Sequence, residues 1–110
     1  MQYVLFIMAE RNAKAAPDEM QRMGKFAGEL VQAGKLKGGA PLTPEVQGAR
    51  IRKRGGKLVV TDGPFAETKE VIGGFFVLEA DSREEALEIA KRCPAAESSI
   101  VELREAIKMG

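Results

Sequence analysis

The segment Asp62–Glu70 carries the residues of this chain that are best suited to chemistry. It reads Asp-Gly-Pro-Phe-Ala-Glu-Thr-Lys-Glu, and its ionisable residues are Asp62, Glu67, Lys69 and Glu70. Gly63 and Pro64 favour a tight turn, and Asp62 is the first polar group after a strand-like run. Charged connections between buried elements often carry binding or catalysis. The segment is therefore the candidate site, although a solvated Gly-Pro turn is also consistent with it.

Asp62 and Lys69 allow two kinds of chemistry. Asp62 can act as a general base at neutral pH only if burial raises its pKa, because the ordinary pKa of an aspartate is about 4. Lys69 would keep Asp62 ionised and can itself hold a carboxylate or a phenolate. Gly63, Pro64 and Phe65 would complete a ligand-binding loop. This set favours binding over proton transfer. In the structural alternative, Asp62 only holds the turn, as an Asx turn.

The absence of histidine restricts the chemistry most. The chain has no histidine and one cysteine, Cys93. An imidazole base, a histidine-based triad and an imidazole or thiolate metal site are therefore excluded within this chain. We expect no metal and no cofactor. Any catalysis must use carboxylates, lysine, arginine, Tyr3, a hydroxyl or backbone dipoles.

Length and composition indicate one soluble domain that spans residues 1–110. The chain is 45% hydrophobic and 30% charged, and its 17 basic and 16 acidic residues give a net charge of +1. This balance argues against direct binding of nucleic acid. We expect a cytoplasmic protein without a membrane segment, because it has a single cysteine, no secretory signal and no apolar run near about 20 residues.

Apolar periodicity predicts two β-α-β halves separated by an inserted hairpin. The predicted strands are 3–8, 36–40, 71–80 and 98–107, the hairpin is 49–61, and the helices begin near Pro17 and Ser82. Capping boxes are predicted for Asp18 with Gln21 and for Ser82 with Glu85. The Gly73-Gly74 pair indicates a bulge or a close backbone approach. The apolar stripe expected on the first helix is Met20, Met23, Ala27, Leu30 and Val31.

The hairpin holds the densest cluster of positive charge in the chain. Its basic residues are Arg50, Arg52, Lys53, Arg54 and Lys57. Such charges can simply protect an exposed strand edge. In the functional alternative they contact an anion or an acidic partner.

The order of the elements predicts an α+β fold of the ferredoxin-like sandwich type, with both helices on one face of an antiparallel sheet. The runs 3–8 and 75–78 are apolar on both faces, but two helices cover only one face. Leaving the second face exposed costs about 1.5–3 kcal/mol for each large apolar side chain. We therefore expect a homodimer in which two sheets pack face to face.

The motif region resembles a known family. The run 58–70 reads Leu-Val-Val-Thr-Asp-Gly-Pro-Phe-Ala-Glu-Thr-Lys-Glu, and a Gly-Gly-aromatic strand and an acidic helix with Glu-Ala-Leu follow it. This pattern resembles the YCII-related family and, within it, the DGPF-domain subgroup. The resemblance covers nearly the whole chain. It implies a dimeric α+β barrel with a cleft near the Asp-Gly turn.

The resemblance also implies two kinds of function. Some relatives resemble enzymes that act on small ring compounds through a His–Asp pair, whereas other DGPF proteins are associated with extracytoplasmic-function sigma factors. Asp62 is present here, but without a histidine the His–Asp mechanism does not carry over. The first hypothesis is a small-molecule-binding or accessory module, with a sigma-factor-type partner. The alternatives are a small enzyme for an organic acid or ring substrate, with Asp62 as acid/base, and a structural dimer without a site.

Overall fold

The computed structural model describes residues 1–10, 14, 16–65 and 70–109, and within these ranges the chain forms an α+β fold. In chain order the elements are β1 (Gln2–Glu10), α1 (Glu19–Gln32), β2 (Leu36–Pro41), β3 (Ala49–Arg54), β4 (Lys57–Asp62), β5 (Glu70–Glu79), α2 (Arg83–Lys91) and β6 (Ile100–Glu105). Short 3-10 helices at Glu45–Gln47 and Pro94–Glu97 precede β3 and β6. No helix in the described ranges is long and apolar enough to cross a membrane.

Four strands form an antiparallel sheet in the order β2-β5-β1-β6. Across this sheet, Leu5 of the inner strand β1 lies opposite Phe76 on one side and Leu103 on the other. Two helices on an antiparallel sheet of this order are consistent with a ferredoxin-like sandwich. The predicted α+β class is therefore confirmed, whereas the dimer stays a prediction.

The β1–β5 pairing shifts by one residue at the Gly73-Gly74 pair. Ile7 lies opposite Gly74, but Met8 lies opposite Ile72, so Gly73 is the additional residue of a bulge. A Cβ atom on Gly74 would lie 3.2 Å from the carbonyl oxygen of Ala40 in β2. Both features predicted for this pair, the bulge and the close backbone approach, are present.

The core lies between one face of the sheet and the two helices. Its buried residues are Tyr3, Leu5, Phe26, Leu30, Leu78, Ala80, Ala86, Ile89, Cys93 and Ala95. The rings of Phe26 and Phe76 meet edge to face, with their centroids 5.8 Å apart. Each large apolar side chain buried here contributes about 1.5–3 kcal/mol, which fixes α1 and α2 against the sheet.

The predicted apolar stripe of α1 is partly wrong. Met20 and Val31 are 77% and 59% exposed, whereas Phe26, which the prediction omitted, is 6% exposed. At 3.6 residues per turn, Met20 and Val31 point about 120° and 140° away from Phe26 around the helix. The contact of Phe26 with Phe76 therefore sets the rotation of α1, and these two residues face solvent.

The two predicted capping boxes have different outcomes. Ser82 caps α2, because its Oγ accepts a hydrogen bond of 3.1 Å from the backbone N–H of Glu85. The Glu85 carboxylate accepts from the backbone N–H of Asp81 at 2.9 Å. The Asp18 box is wrong: its side chain makes no capping bond with a described residue, and Asp18 Oδ2 lies 3.5 Å from Arg22 Nε. Asp18 has φ and ψ of −96° and 2°, in the bridge region, whereas a usual N-cap residue is extended.

The second face of the four-stranded sheet is apolar along its centre. Val4 lies opposite Val77 and Phe6 lies opposite Phe75, and all four side chains are half-buried. Both helices pack on the other face, so within the described ranges no helix covers these residues. This face is the surface through which we predict that two copies of the chain pack together.

Strands β3 and β4 form a separate two-stranded sheet that we term the hairpin. Their register runs from Ala49 opposite Asp62 to Arg54 opposite Lys57. Gly55 and Gly56 close the turn with φ values of 54° and 81°, which suit glycine and a type I′ turn. Every residue of both strands is exposed. The prediction placed this hairpin at 49–61, and the structure places it at 49–62.

Candidate functional site

The hairpin has two chemically different faces, because side chains alternate along each strand. We term the first the arginine face; it carries Arg50, Arg52, Arg54, Lys57, Val59 and Thr61. The opposite face carries Ala49, Ile51, Lys53, Leu58, Val60 and Asp62. The arginine face concentrates three guanidinium groups on one strand, whereas the opposite face is mainly apolar.

The Gly-Pro turn at the end of β4 is fixed by close packing. The backbone N–H of Gly63 donates to the carbonyl oxygen of Gly48 at 2.9 Å, and the Gly63–Pro64 peptide bond is cis. A Cβ atom on residue 63 would overlap the carbonyl oxygen of Glu45. Only glycine fits here, so Gly63 sets the direction in which Pro64 and Phe65 continue.

Phe65 returns from the turn to the arginine face. The guanidinium carbon of Arg50 lies 3.9 Å from the centroid of the Phe65 ring. A cation over an aromatic face at this distance is a favourable cation–π contact. This contact brings the predicted ligand-binding residues Pro64 and Phe65 together with a residue of β3.

A cavity of about 260 Å³ results from this arrangement. It is lined by Arg50, Arg52, Arg54, Val59, Thr61, Pro64 and Phe65. None of the described residues that line it is acidic, and alternate residues of a strand are only about 7 Å apart. Neighbouring guanidinium groups repel one another, so a bound anion would be attracted. Arginine binds carboxylates and phosphates through paired hydrogen bonds.

Asp62 lies apart from this cavity. It ends β4 opposite Ala49, its residue is exposed, and it belongs to the face of the hairpin that points away from the three arginines. The structure therefore brings Pro64 and Phe65 to the arginine face and leaves Asp62 on the other side. Lys69, the predicted anion holder, and Glu67 lie outside the described residues.

The sequence identified the basic cluster and the Asp-Gly-Pro-Phe turn but treated them as separate features. The signal that joins them was present in the spacing. Arg50, Arg52 and Arg54 alternate along the sequence, which places them on one face of a strand. Pro64 and Phe65 come shortly after the end of the partner strand. The proximity of Phe65 to Arg50 required the geometry of the turn at Gly63.

The remaining charged groups with perturbed pKa values are structural. Lys35 Nζ lies 2.9 Å from Glu85 Oε1, a hydrogen bond that raises the pKa of Lys35 and lowers the pKa of Glu85. Arg22 and Glu97 form a similar pair at 2.8 Å, which lowers the pKa of Glu97. Both pairs connect residues distant in sequence, and neither lies at the arginine face.

In the described part of the chain, neither Cys93 nor a cluster of metal-binding side chains forms a reactive centre. Cys93 is 2% exposed, and burial raises the pKa of its thiol. A raised pKa keeps the sulfur protonated and weakly nucleophilic. The described residues contain no group of three or more Cys, Asp or Glu side chains that could hold a metal ion.

The model of the YCII-related domain matches residues 1–110. The chain belongs to the YCII-related family. This match confirms the resemblance at the level of the family, and the DGPF subgroup stays a prediction. An uncharacterised protein of Rhizobium meliloti (strain 1021) is 40% identical to this YCII-related chain over 72 residues. That similarity covers 66% of the chain and 58% of the length of the relative.

This YCII-related chain is also similar, over its whole length, to a solved structure. That structure is the 5-chloro-2-hydroxyhydroquinone dehydrochlorinase of Burkholderia phenoliruptrix AC1100 in complex with 2,5-dihydroxybenzoquinone. The similarity covers 100% of this chain and 96% of that chain, at 15% sequence identity and a TM-score of 0.46.

Proposed function

We propose that this YCII-related protein is a homodimeric module that binds a small organic anion at the arginine face of its hairpin. The observation that carries the proposal is the cavity in which three arginines and Phe65 converge. The module acts as a small-molecule-binding or accessory domain.

The cavity suits a ligand with a compact apolar body and a negative charge. Val59, Pro64 and the ring of Phe65 provide apolar contact, and Thr61 provides a hydroxyl. Arg52 and Arg54 provide donors for a carboxylate. A monocyclic carboxylate such as benzoate has both parts and fits the size of the cavity.

A matched pair of variants tests this function. Arg52 and Lys53 are neighbours on β3, but only Arg52 lines the cavity. Arg52→Gln and Lys53→Gln remove the same charge. By isothermal titration, we expect Arg52→Gln to weaken benzoate binding by at least about tenfold, as a charged hydrogen bond of about 1.5–3 kcal/mol implies. Lys53→Gln should weaken benzoate binding by less than about threefold, because it only lowers the positive electrostatic potential around the hairpin. Equal effects of the two variants would contradict the proposal.

The homodimer is proposed from the apolar second face of the four-stranded sheet. Val4, Phe6, Phe75 and Val77 form a strip that a second copy would bury. Native mass spectrometry of the wild type at micromolar concentration should show a dimer. Phe6→Lys should give a folded monomer, since it places a charge in the centre of that strip. A wild type that is only monomeric would refute this part of the proposal.

The enzymatic alternative uses Asp62 as acid/base on a small organic acid or ring substrate. The geometry favours it less, because Asp62 is exposed and faces away from the cavity. Asp62→Asn separates the two functions: a binding module keeps its affinity for benzoate in this variant, whereas an enzyme loses turnover. A sigma-factor-type protein partner stays a prediction.

A further inference from the structure

A second cavity lies between α2 and the edge strand β6, on the side of the sheet that carries the helices. Its volume is about 380 Å³. It is lined by Tyr3, Arg83, Leu87, Ala90, Ile100, Val101, Glu102, Leu103 and Glu105. Small-molecule sites typically have volumes of about 300–1,000 Å³. This cavity is therefore large enough for a small organic molecule. It lies on the face of the sheet that carries the helices, and the dimer is proposed to form through the other face.

Tyr3 provides the buried polar group of this cavity. Its residue is 2% exposed, and its hydroxyl is buried without a hydrogen-bond partner among the described residues. Buried hydroxyls are normally hydrogen-bonded, so this one requires a partner that the described residues do not provide. A ligand acceptor atom would fulfil this role.

The hydroxyl of Tyr3 can act only as a donor or a neutral acceptor at ordinary pH. Burial raises the pKa of Tyr3, and the nearby Glu105 carboxylate raises it further, whereas Arg83 opposes the rise. The phenol therefore keeps its proton. A hydrogen-bond acceptor on the ligand, such as a carbonyl oxygen, is the complementary group.

The remaining lining residues define the rest of the ligand. Leu87, Ala90, Val101 and Leu103 form apolar walls, which suit a compact hydrocarbon body. Arg83 and Glu105 are lining residues of opposite charge, whereas Glu102 lies opposite Phe6, on the second face of the sheet. The cavity therefore has no excess of positive charge to attract an organic anion, which distinguishes it from the arginine face.

We propose that this cavity is a second binding site, which takes a neutral molecule with a compact apolar body and one hydrogen-bond acceptor for the Tyr3 hydroxyl. The inference is independent of the proposed function, because it shares no residue with the arginine face. It assigns to this chain two sites with different ligands, an organic anion at the arginine face and a neutral molecule in this cavity. The probe that matches the description is acetophenone, which has one ring and one carbonyl oxygen.

An NMR titration of the uniformly ¹⁵N-labelled full chain with acetophenone tests the proposal. We expect saturable shifts of the backbone amides of Leu87, Ala90, Val101 and Leu103. Tyr3→Phe should weaken binding about three- to tenfold, which corresponds to loss of one neutral hydrogen bond. Ala90→Leu should weaken binding, because the larger side chain narrows the cavity, whereas Arg52→Gln should leave it unchanged.

The outcomes separate binding in this cavity from binding at the arginine face. Absence of saturable shifts at the four amides in the wild type overturns the proposal. Equal affinity of wild type and Ala90→Leu also overturns it, and so does equal affinity of wild type and Tyr3→Phe. A loss in Arg52→Gln would instead place the probe at the arginine face. Circular dichroism of each variant establishes that it is folded, and Ala90→Leu keeps the test decisive if Tyr3→Phe fails to fold.

Discussion

The four-stranded sheet and the hairpin contain similar strands but hold them by different means. In the sheet, Leu5 and Leu78 are completely buried against the helices. In the hairpin, Ile51 and Leu58 are 67% and 74% exposed. One buried face fixes the register of the sheet. The hairpin depends on its glycine turn and on the contacts at its base.

A ligand-binding surface is more accessible on the hairpin than in the sheet. The sheet and helices use most of their inward apolar side chains for the core. The strands of the hairpin are exposed, and its three alternating arginines line a cavity. Its anchors are the Gly63–Gly48 hydrogen bond and the contact of Arg50 with Phe65.

The largest expected effect compares a leucine in each region. Leu5→Ala removes a fully buried side chain and should lower the free energy of unfolding by about 2–5 kcal/mol. Leu58→Ala removes an exposed side chain of the hairpin and should change it by less than about 0.5 kcal/mol. Urea denaturation measures both. A large decrease in the free energy of unfolding of Leu58→Ala would show that the homodimer buries the hairpin. The hairpin and the sheet would then be stabilised in the same way.

A smaller effect is expected at the base of the hairpin. Gly63→Ala forces a Cβ atom onto the Glu45 carbonyl oxygen and should destabilise by about 1–3 kcal/mol, as overpacking does. Gly24→Ala is the control, because nothing lies within 4 Å of its Cβ position on α1. It should stabilise by about 0.5–1 kcal/mol through helix propensity. Thermal denaturation should show a lower melting temperature for Gly63→Ala and a higher one for Gly24→Ala. If both variants melted at a higher temperature than the wild type, Gly63 would not be sterically constrained.

The smallest effect concerns the pH dependence of the helix-side ion pairs. Glu85 and Glu97 have pKa values lowered from 4.5 by Lys35 and Arg22. A carboxylate with a lowered pKa in the folded state stabilises above its unfolded pKa, and this stabilisation is lost as the pH falls through the folded pKa. Stability should therefore fall below about pH 4.5. Urea midpoints from pH 7 to pH 3 should fall less steeply in Glu85→Gln than in the wild type, and parallel curves would contradict this.

The sequence predicted the elements well where local chemistry determines them. The apolar run of β1, the Gly-Gly turn after Arg54 and the bulge at Gly73 each follow from residue type and spacing. The Ser82 cap of α2 is also local, since its partner is three residues away.

The sequence predicted less well where tertiary contacts decide. The rotation of α1 depends on the contact of Phe26 with Phe76, which periodicity does not contain. The centre of the candidate site also differs between the sequence-based prediction and the structure. The motif drew attention to Asp62, but strand alternation places Asp62 opposite the arginines, and the turn at Gly63 brings Phe65 to Arg50.

The most direct test of the anion site is an NMR titration of the arginine side chains with benzoate. The Nε–H signals of Arg50, Arg52 and Arg54 should shift saturably with one common dissociation constant. The signals of Arg22, Arg83 and Arg104 should stay in place, since these residues do not line the hairpin cavity. A uniform, unsaturable drift of all six signals, or no change at Arg52 and Arg54, would contradict the claim that the arginine face is an anion site.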